Sequence, residues 1–311
     1  MALALRPESD LSAASGMGLA VAQALTNLGG WQVHVLDVKP ATSQPSPDGI
    51  IYHQADTTDY GQLAAVFKSV WTSGDERRLD FVFANAGILD SANFFAKSEA
   101  QGTDEPPPEP DYKVVDVNLR GCVNTVHLAH HYMVQSPDQS SRAIAVTASQ
   151  SAIWPTCCLP LYTASKRKFF SCFFPYLLEV SDHPSMLTPM QDGILGFVRS
   201  VSDWYFQSED IRINTLCPSS VKTDLLPDEV WAAFDPSSLT SMDLVVKIVL
   251  EHFLDGEPIV DSNGRRGTSN YGQTVVPSGE ELYLEDLPPF VNAGSEALIR
   301  ATAVDQKLNI I

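Results

Sequence analysis

Along the chain, short apolar and β-branched runs alternate with longer stretches in which apolar residues recur every three or four positions. Residues 31–37 (WQVHVLD) alternate as a strand does. Strand-like runs follow at 50–55, 79–84, 143–147 and 211–217, with a weaker one at 257–261. Helical spacing marks 17–28, 60–70, 111–133, 161 onward and 242–253. Strands that are apolar nearly throughout need cover on both faces. Alternating with helices, they predict a doubly wound parallel sheet in a three-layer α/β/α domain. One domain accounts for the 311 residues, without internal repeats, and the 44% of hydrophobic residues can fill its core. Residues 104–110 (DEPPPEP) predict a stiff extended loop, because proline fits neither a ladder nor a helix interior.

The pattern breaks in two places. Residues 6–10 (RPESD) stand between the apolar start of the chain and a glycine loop, and a central strand tolerates neither their proline nor their charges. No clean strand is therefore expected to lead into that loop, and residues 1–11 form an atypical N-terminus. Residues 167–192 interrupt the helical pattern that starts at 161 and would otherwise continue into 193–200 (GILGFVRS). Pro175, Pro184 and Pro189 forbid one continuous helix, and Phe169, Phe170, Phe173 and Phe174 add an apolar cluster. This segment reads as an insertion of the lineage or as a retained intron. Arg167-Lys168 can be encoded CGT-AAG, which contains a GTAAG donor, and Gln191-Asp192 can be encoded CAA-GAT, which supplies the closing AG. From about 263 to 311 the chain reads as an acidic extension, with Glu280-Glu281 and Glu285-Asp286 on a solvated face.

The candidate chemistry lies at the ends of the strand-like runs. Ser12, Ser15, Gly16, Met17 and Gly18 belong to a loop that opens a helix of small and apolar residues. Glycines there let the backbone approach a pyrophosphate, whose charge the unpaired N–H groups of a helix start stabilise. Asp37 ends the next strand, where a carboxylate can accept bonds from both ribose hydroxyls of a dinucleotide. Asp56 and Asn85-Ala86-Gly87 follow two more strands. Ser149 ends a fourth, and Tyr162 and Lys166 are four apart, on one face of a helix. A phenol is a poor base at neutral pH, and a neighbouring ammonium lowers its pKa by favouring the phenolate.

This ordered set resembles the short-chain dehydrogenase/reductase family, over residues 11–223 or so. The resemblance implies a Rossmann-type fold and reversible hydride transfer between NAD, rather than NADP, and a secondary alcohol or ketone. It makes Gly16 and Gly18 motif glycines, Asp37 the acid that favours NAD, and Asp56 an adenine contact; Asn85, Ala86 and Gly87 become a wall of the cofactor cleft. Asn118, within DVNLRG, holds a water of the proton relay on this resemblance. Ser149 orients the substrate oxygen, Tyr162 is the acid/base, and Lys166 binds the nicotinamide ribose and lowers the tyrosine pKa. In CPSSVKT (217–223), Val221 and Thr223 fall beside the nicotinamide carboxamide. The chain departs from the family at Leu11-Ser12, where Thr-Gly is usual, and at Ser219, where a glycine is usual. Motif spacing and the tail at 245–261 are most similar to hydroxyprostaglandin-dehydrogenase-like members. Relatives commonly pair through the helices bearing Asn118 and Tyr162, which implies a homodimer. The altered loop and broken helix hold a second reading open: a non-catalytic cofactor-binding protein, or a compromised splice isoform of such an enzyme.

Net charge and cysteines narrow the partners. A formal charge of −18 argues against nucleic acid or an anionic membrane. The five cysteines are odd in number and show no metal-ligand spacing, so free thiols in a reducing, cytoplasmic setting are expected, and no metal. Residues 225–239, with Ile153, Trp154 and Leu159, should form the substrate wall; being mostly apolar, they favour a lipid-like or aromatic substrate over a sugar.

Overall fold

Alternate residues of the strands point to opposite faces of one sheet, and both sets are buried. Val33, Val35, Phe81, Phe83, Ala143 and Ala145 belong to one core, and Leu36, Val82, Ala84, Ile144 and Val146 to the other. A strand wetted on neither side must be covered twice, as the near-continuous apolar runs require. The computed structural model describes residues 2–5, 16–39, 49–74, 77–91, 93–96, 102, 104–137, 142–157, 159–166 and 193–302. Its eight strands are β1 (Ala2–Leu5), β2 (Val33–Asp37), β3 (Ile50–Gln54), β4 (Phe81–Ala84), β5 (Ala143–Thr147), β6 (Arg212–Leu216), β7 (Thr274–Ser278) and β8 (Glu281–Leu284). They lie in the order β3-β2-β1-β4-β5-β6-β7-β8, parallel except for the final hairpin-like pair β7–β8.

Helix α1 (Gly16–Leu28) packs on α8 (Met242–Lys247) over the first face, where a π-helical segment (Ile248–Leu254) continues α8. Over the second face lie α2 (Tyr60–Ser73), α4 (Cys122–Met133) and α6 (Ile194–Glu209). Phe67, Phe81, Phe83 and Phe253 are among the largest fully buried side chains, and each such burial contributes roughly 1.5–3 kcal/mol. Asp59 caps α2, its carboxylate accepting from the Gln62 N–H at 3.0 Å. The stretch expected as one helix over 111–133 is α3 (Lys113–Val115), a π-helical turn (Asp116–Gly121) and α4 in succession. Gly121 is obligatory there: a Cβ would stand 2.5 Å from Thr57 Oγ1. Short elements complete the set: α5 (Pro160–Lys166), α7 (Asp228–Trp231) and α9 (Ala293–Thr302).

Three expectations are corrected. A strand does precede the glycine loop: Ala2–Leu5 pairs in parallel with both β2 and β4 at the centre of the sheet, and residues 6–10 lie outside the described residues. The run at 257–261 is no strand, and only an isolated bridge joins Val260 to Arg266. Pro258 and flanking charges weaken it, whereas the β-branched Thr274-Val275-Val276 carries the ladder beside β6. Residues 274–284 of the expected extension are consequently no appendage, because β7 and β8 complete the sheet.

The broken helix is resolved at its two ends. α5 is described as far as Lys166, and α6 begins after Gly193, which lies against α5: a Cβ on Gly193 would lie 2.4 Å from the Ser165 carbonyl oxygen and 2.8 Å from that of Ala164. The cluster expected from Phe169 to Phe174, and the loop residues Ser12 and Ser15, lie outside the described residues.

Candidate active site

The strand order reverses between β1 and β4, so their carboxyl ends splay apart and open the crevice in which doubly wound sheets take ligands. Gly16 opens α1 with φ +83°, a conformation that favours glycine, and Gly18 is buried behind it, with Met17 partly exposed between them. Asp37, at the end of β2, is buried, and one carboxylate oxygen accepts from the Lys39 N–H at 3.0 Å. Asp56 turns one oxygen inward, accepting from the N–H and the hydroxyl of Thr58, both at 2.8 Å. Asn85 and Ala86 are buried, and the Thr147 hydroxyl donates to Asn85 Oδ1 at 2.8 Å.

Gly87 lies against two of the expected functional residues. A Cβ there would stand 3.3 Å from Asn118 Oδ1 and 3.4 Å from Lys166 Nζ, so the missing side chain leaves a cradle directly over two expected functional groups. Asn118 sits fully buried in the π-helical turn. Its Oδ1 accepts from the Ile88 N–H at 2.7 Å, and its Nδ2 donates to the Ile88 carbonyl at 2.9 Å and to Ser165 Oγ at 3.2 Å. Expected as the holder of a relay water, it acts here as a bracket on backbone and side chain.

Ser149, in extended conformation just past β5, accepts from the Ser151 N–H at 3.1 Å and is hydrogen-bonded to the Tyr162 phenol. Burial pushes that phenol above its ordinary pKa, against the pull of Ser149. Lys166 is 2% exposed and donates to the Thr147 carbonyl at 2.9 Å; burial draws its pKa down to about 8, opposed by the nearby thiols of Cys122 and Cys217. Tyr162 and Lys166 do share one helix face, but desolvation disfavours the charged form of each.

Val221 is buried and bridges to Thr240, and Thr223 accepts from the Leu225 N–H at 3.3 Å. The change at Ser219 is accommodated by a hydroxyl contact with Thr240 at 2.7 Å. In the expected substrate wall, the buried Trp231 of α7 donates its indole N–H to the Thr223 carbonyl at 2.8 Å, fixing that wall to the adjoining loop. Trp154 is 58% exposed at the other side. Sequence reading missed Thr147, Ser165 and Asp90, and included Trp231 only within the 225–239 wall. Ser165 was visible between Tyr162 and Lys166; Asp90 had no local signal, since its partner is Tyr162. Among the described residues no cluster of three or more His, Cys, Asp or Glu could hold a metal, and no helix is long and apolar enough to cross a membrane. Cys122, Cys157 and Cys217 are free thiols.

The fold and the clustered Ser149, Tyr162 and Lys166 define an oxidoreductase built on a nucleotide-binding α/β sheet. The chain belongs to the short chain dehydrogenase family, whose profile matches residues 11–172. It is 31% identical, over 95% of its length and 99% of the relative's, to short-chain dehydrogenase/reductase prx7 of Penicillium rubens. It is 25% identical to the 15-hydroxyprostaglandin dehydrogenase [NAD(+)] of Rattus norvegicus, over 69% of this chain and 67% of that protein. Among solved structures, a short-chain dehydrogenase/reductase family oxidoreductase from Burkholderia thailandensis superposes with a TM-score of 0.58, at 19% identity over 89% of this chain and 91% of that one. The likeness supports the Rossmann-type fold.

Proposed function

We propose that this oxidoreductase is NAD-dependent and interconverts a secondary alcohol and a ketone, with Tyr162 exchanging the proton. The observations that carry the proposal are the Ser149 hydroxyl set against the Tyr162 phenol, and the buried Lys166 ammonium beside Gly87 and the end of β5. The residues fit a dinucleotide. Gly16 adopts φ +83° at a helix start, Asp37 ends β2 as a buried acid, and Gly87 leaves room beside Lys166. Gly16, Met17 and Gly18 would face the pyrophosphate, with Ser12 and Ser15 in the same loop; Asp37 would face the adenosine ribose and Asp56 the adenine edge. Asn85, Ala86 and Gly87 would wall the cleft, and Val221 and Thr223 would meet the carboxamide. When bound, the nicotinamide supplies the hydride acceptor or donor.

The protein's own part is geometry and proton transfer. Ser149 is turned by the Ser151 N–H so that its hydroxyl is left to serve the phenol and a substrate oxygen. Burial keeps the phenol protonated at neutral pH, ready to donate to a carbonyl oxygen as reduction proceeds. In oxidation the same oxygen must first lose its proton, which the Lys166 ammonium favours when the two approach. An apolar ketone suits a wall that includes Trp154 and Trp231. A second reading, a cofactor-binding protein without turnover or a compromised isoform, rests on the altered loop at Leu11-Ser12 and on the sequence interruption at 167–192. A screen of secondary alcohols and ketones with NAD(H) and NADP(H), alongside NADH titration followed by fluorescence, separates them. Binding with turnover is expected; binding alone supports the second reading, and neither indicates a compromised isoform.

A further inference from the structure

What holds Tyr162 in place is a closed circuit of hydrogen bonds. The Tyr162 N–H donates to Asp90 Oδ1 at 3.0 Å, and the Leu161 N–H donates to the same carboxylate. The Tyr162 carbonyl accepts from the Ser165 hydroxyl at 2.7 Å. Asn118 Nδ2 donates to that hydroxyl's oxygen, and the Asn118 amide grips both the N–H and the carbonyl of Ile88. Ile88 lies two residues from Asp90, and the ring closes. Asn118 and Ser165 tie the carbonyl side of Tyr162 to the loop after Gly87; among the described residues, Asp90 alone ties its amide side.

We propose that Asp90 is a positioning residue for Tyr162, fixing the catalytic helix to the loop that walls the cofactor cleft. The inference rests on the proposed role of Tyr162. Two features speak for it beyond ordinary capping. Asp90 reaches from the segment after β4 to a helix that starts 70 residues later, so it joins the two walls of the site. Its second oxygen, Oδ2, is buried with no hydrogen-bond partner among the described residues. Burial accordingly raises the Asp90 pKa, with the two amides pulling the other way. Such a carboxylate is kept in an unfavourable setting because the helix start needs its oxygen.

The test compares Asp90→Ala and Asp90→Asn in the full-length protein. An asparagine still offers a carbonyl oxygen to the Tyr162 and Leu161 amides, whereas alanine offers none. Asp90→Ala should lower kcat about tenfold or more, because a displaced acid/base loses alignment while NADH affinity, set elsewhere, stays close to wild type. Asp90→Asn should restore most of kcat. Hydrogen exchange read by mass spectrometry over residues 159–166 supplies a readout that needs no turnover: protection should fall in Asp90→Ala and persist in Asp90→Asn. An Asp90→Ala protein with full kcat and full protection overturns the proposal. So does an Asp90→Asn protein that is folded yet loses both, which also decides the matter if Asp90→Ala fails to fold. Absence of turnover in the wild type would instead count against the proposed function, and the exchange measurement would still judge Asp90.

Discussion

Replacing residues 167–192 by a single histidine should stabilise the protein. Gly193, at the start of α6, lies against the carbonyls of Ala164 and Ser165 in α5. The 26 residues between thus connect two helices already in contact. Closing a connection of that length costs about 3 kcal/mol by the (3/2)RT ln n scaling, and shortening it to one residue removes most of that. Joining the helices also gives the first N–H groups of α6, which have no side-chain cap at Gly193, carbonyl partners in α5. Each such bond adds a net ~0.5–1.5 kcal/mol. At about 2–4 °C per kcal/mol for a domain near this size, Tm should rise by roughly 6–12 °C from the loop term alone. Ile194, Leu195 and Val198 are already buried on the stripe that the joined helix would extend. Differential scanning calorimetry and size-exclusion chromatography on both proteins read the outcome, with more oligomer expected from the shortened form. A full-length protein that is soluble, dimeric and no less stable than the shortened one would refute this reasoning and make the segment an integral part of the fold. Sequencing the mature transcript then separates a retained intron from an inherited insertion.

Cofactor choice should follow Asp37: the wild type should prefer NAD, Asp37→Ala should erode that preference, and equal use of NADP by the wild type would contradict it. The measurement is kcat/KM with each cofactor. Acid should destabilise the fold through His34, whose Nδ1 meets His53 Nε2 at 2.8 Å and whose pKa is lowered to about 4, by burial first and by His53 second. The unfolded chain takes up this proton below pH about 6.5 and the folded one does not, so stability present above that pH is lost as pH falls toward 4, by up to ~3 kcal/mol. Urea midpoints at pH 7 and 4.5 should differ less in His34→Leu than in the wild type; an unchanged difference would place the acid sensitivity elsewhere.

Much of this was legible where the signal is local. Buried strands announce themselves by apolar runs, and Tyr162 and Lys166 by a helical spacing that the fold preserves. β7 and β8 were hidden because acidic residues at 280–286 read as a solvated tail, although Val275, Val276 and Leu284 are buried between them. β1 was discounted because Pro7 and its charged neighbours follow it, yet they fall past the last paired residue, Leu5. The pKa outcome at Tyr162 could not be read from spacing, since desolvation depends on what packs around the phenol. Asp90 was invisible for a related reason: it acts on a backbone N–H that only the tertiary fold brings near.

The central claim is that Tyr162 exchanges the substrate proton, and Tyr162→Phe tests it most directly. Phenylalanine keeps the ring and its packing but removes the oxygen held by Ser149. With a ketone that the wild type reduces, steady-state turnover should fall by about a hundredfold or more, the usual worth of a positioned acid/base. NADH affinity, followed by fluorescence, should stay close to wild type, whereas Lys166→Ala should weaken both binding and turnover. A Tyr162→Phe enzyme that turns over at the wild-type rate would contradict the account.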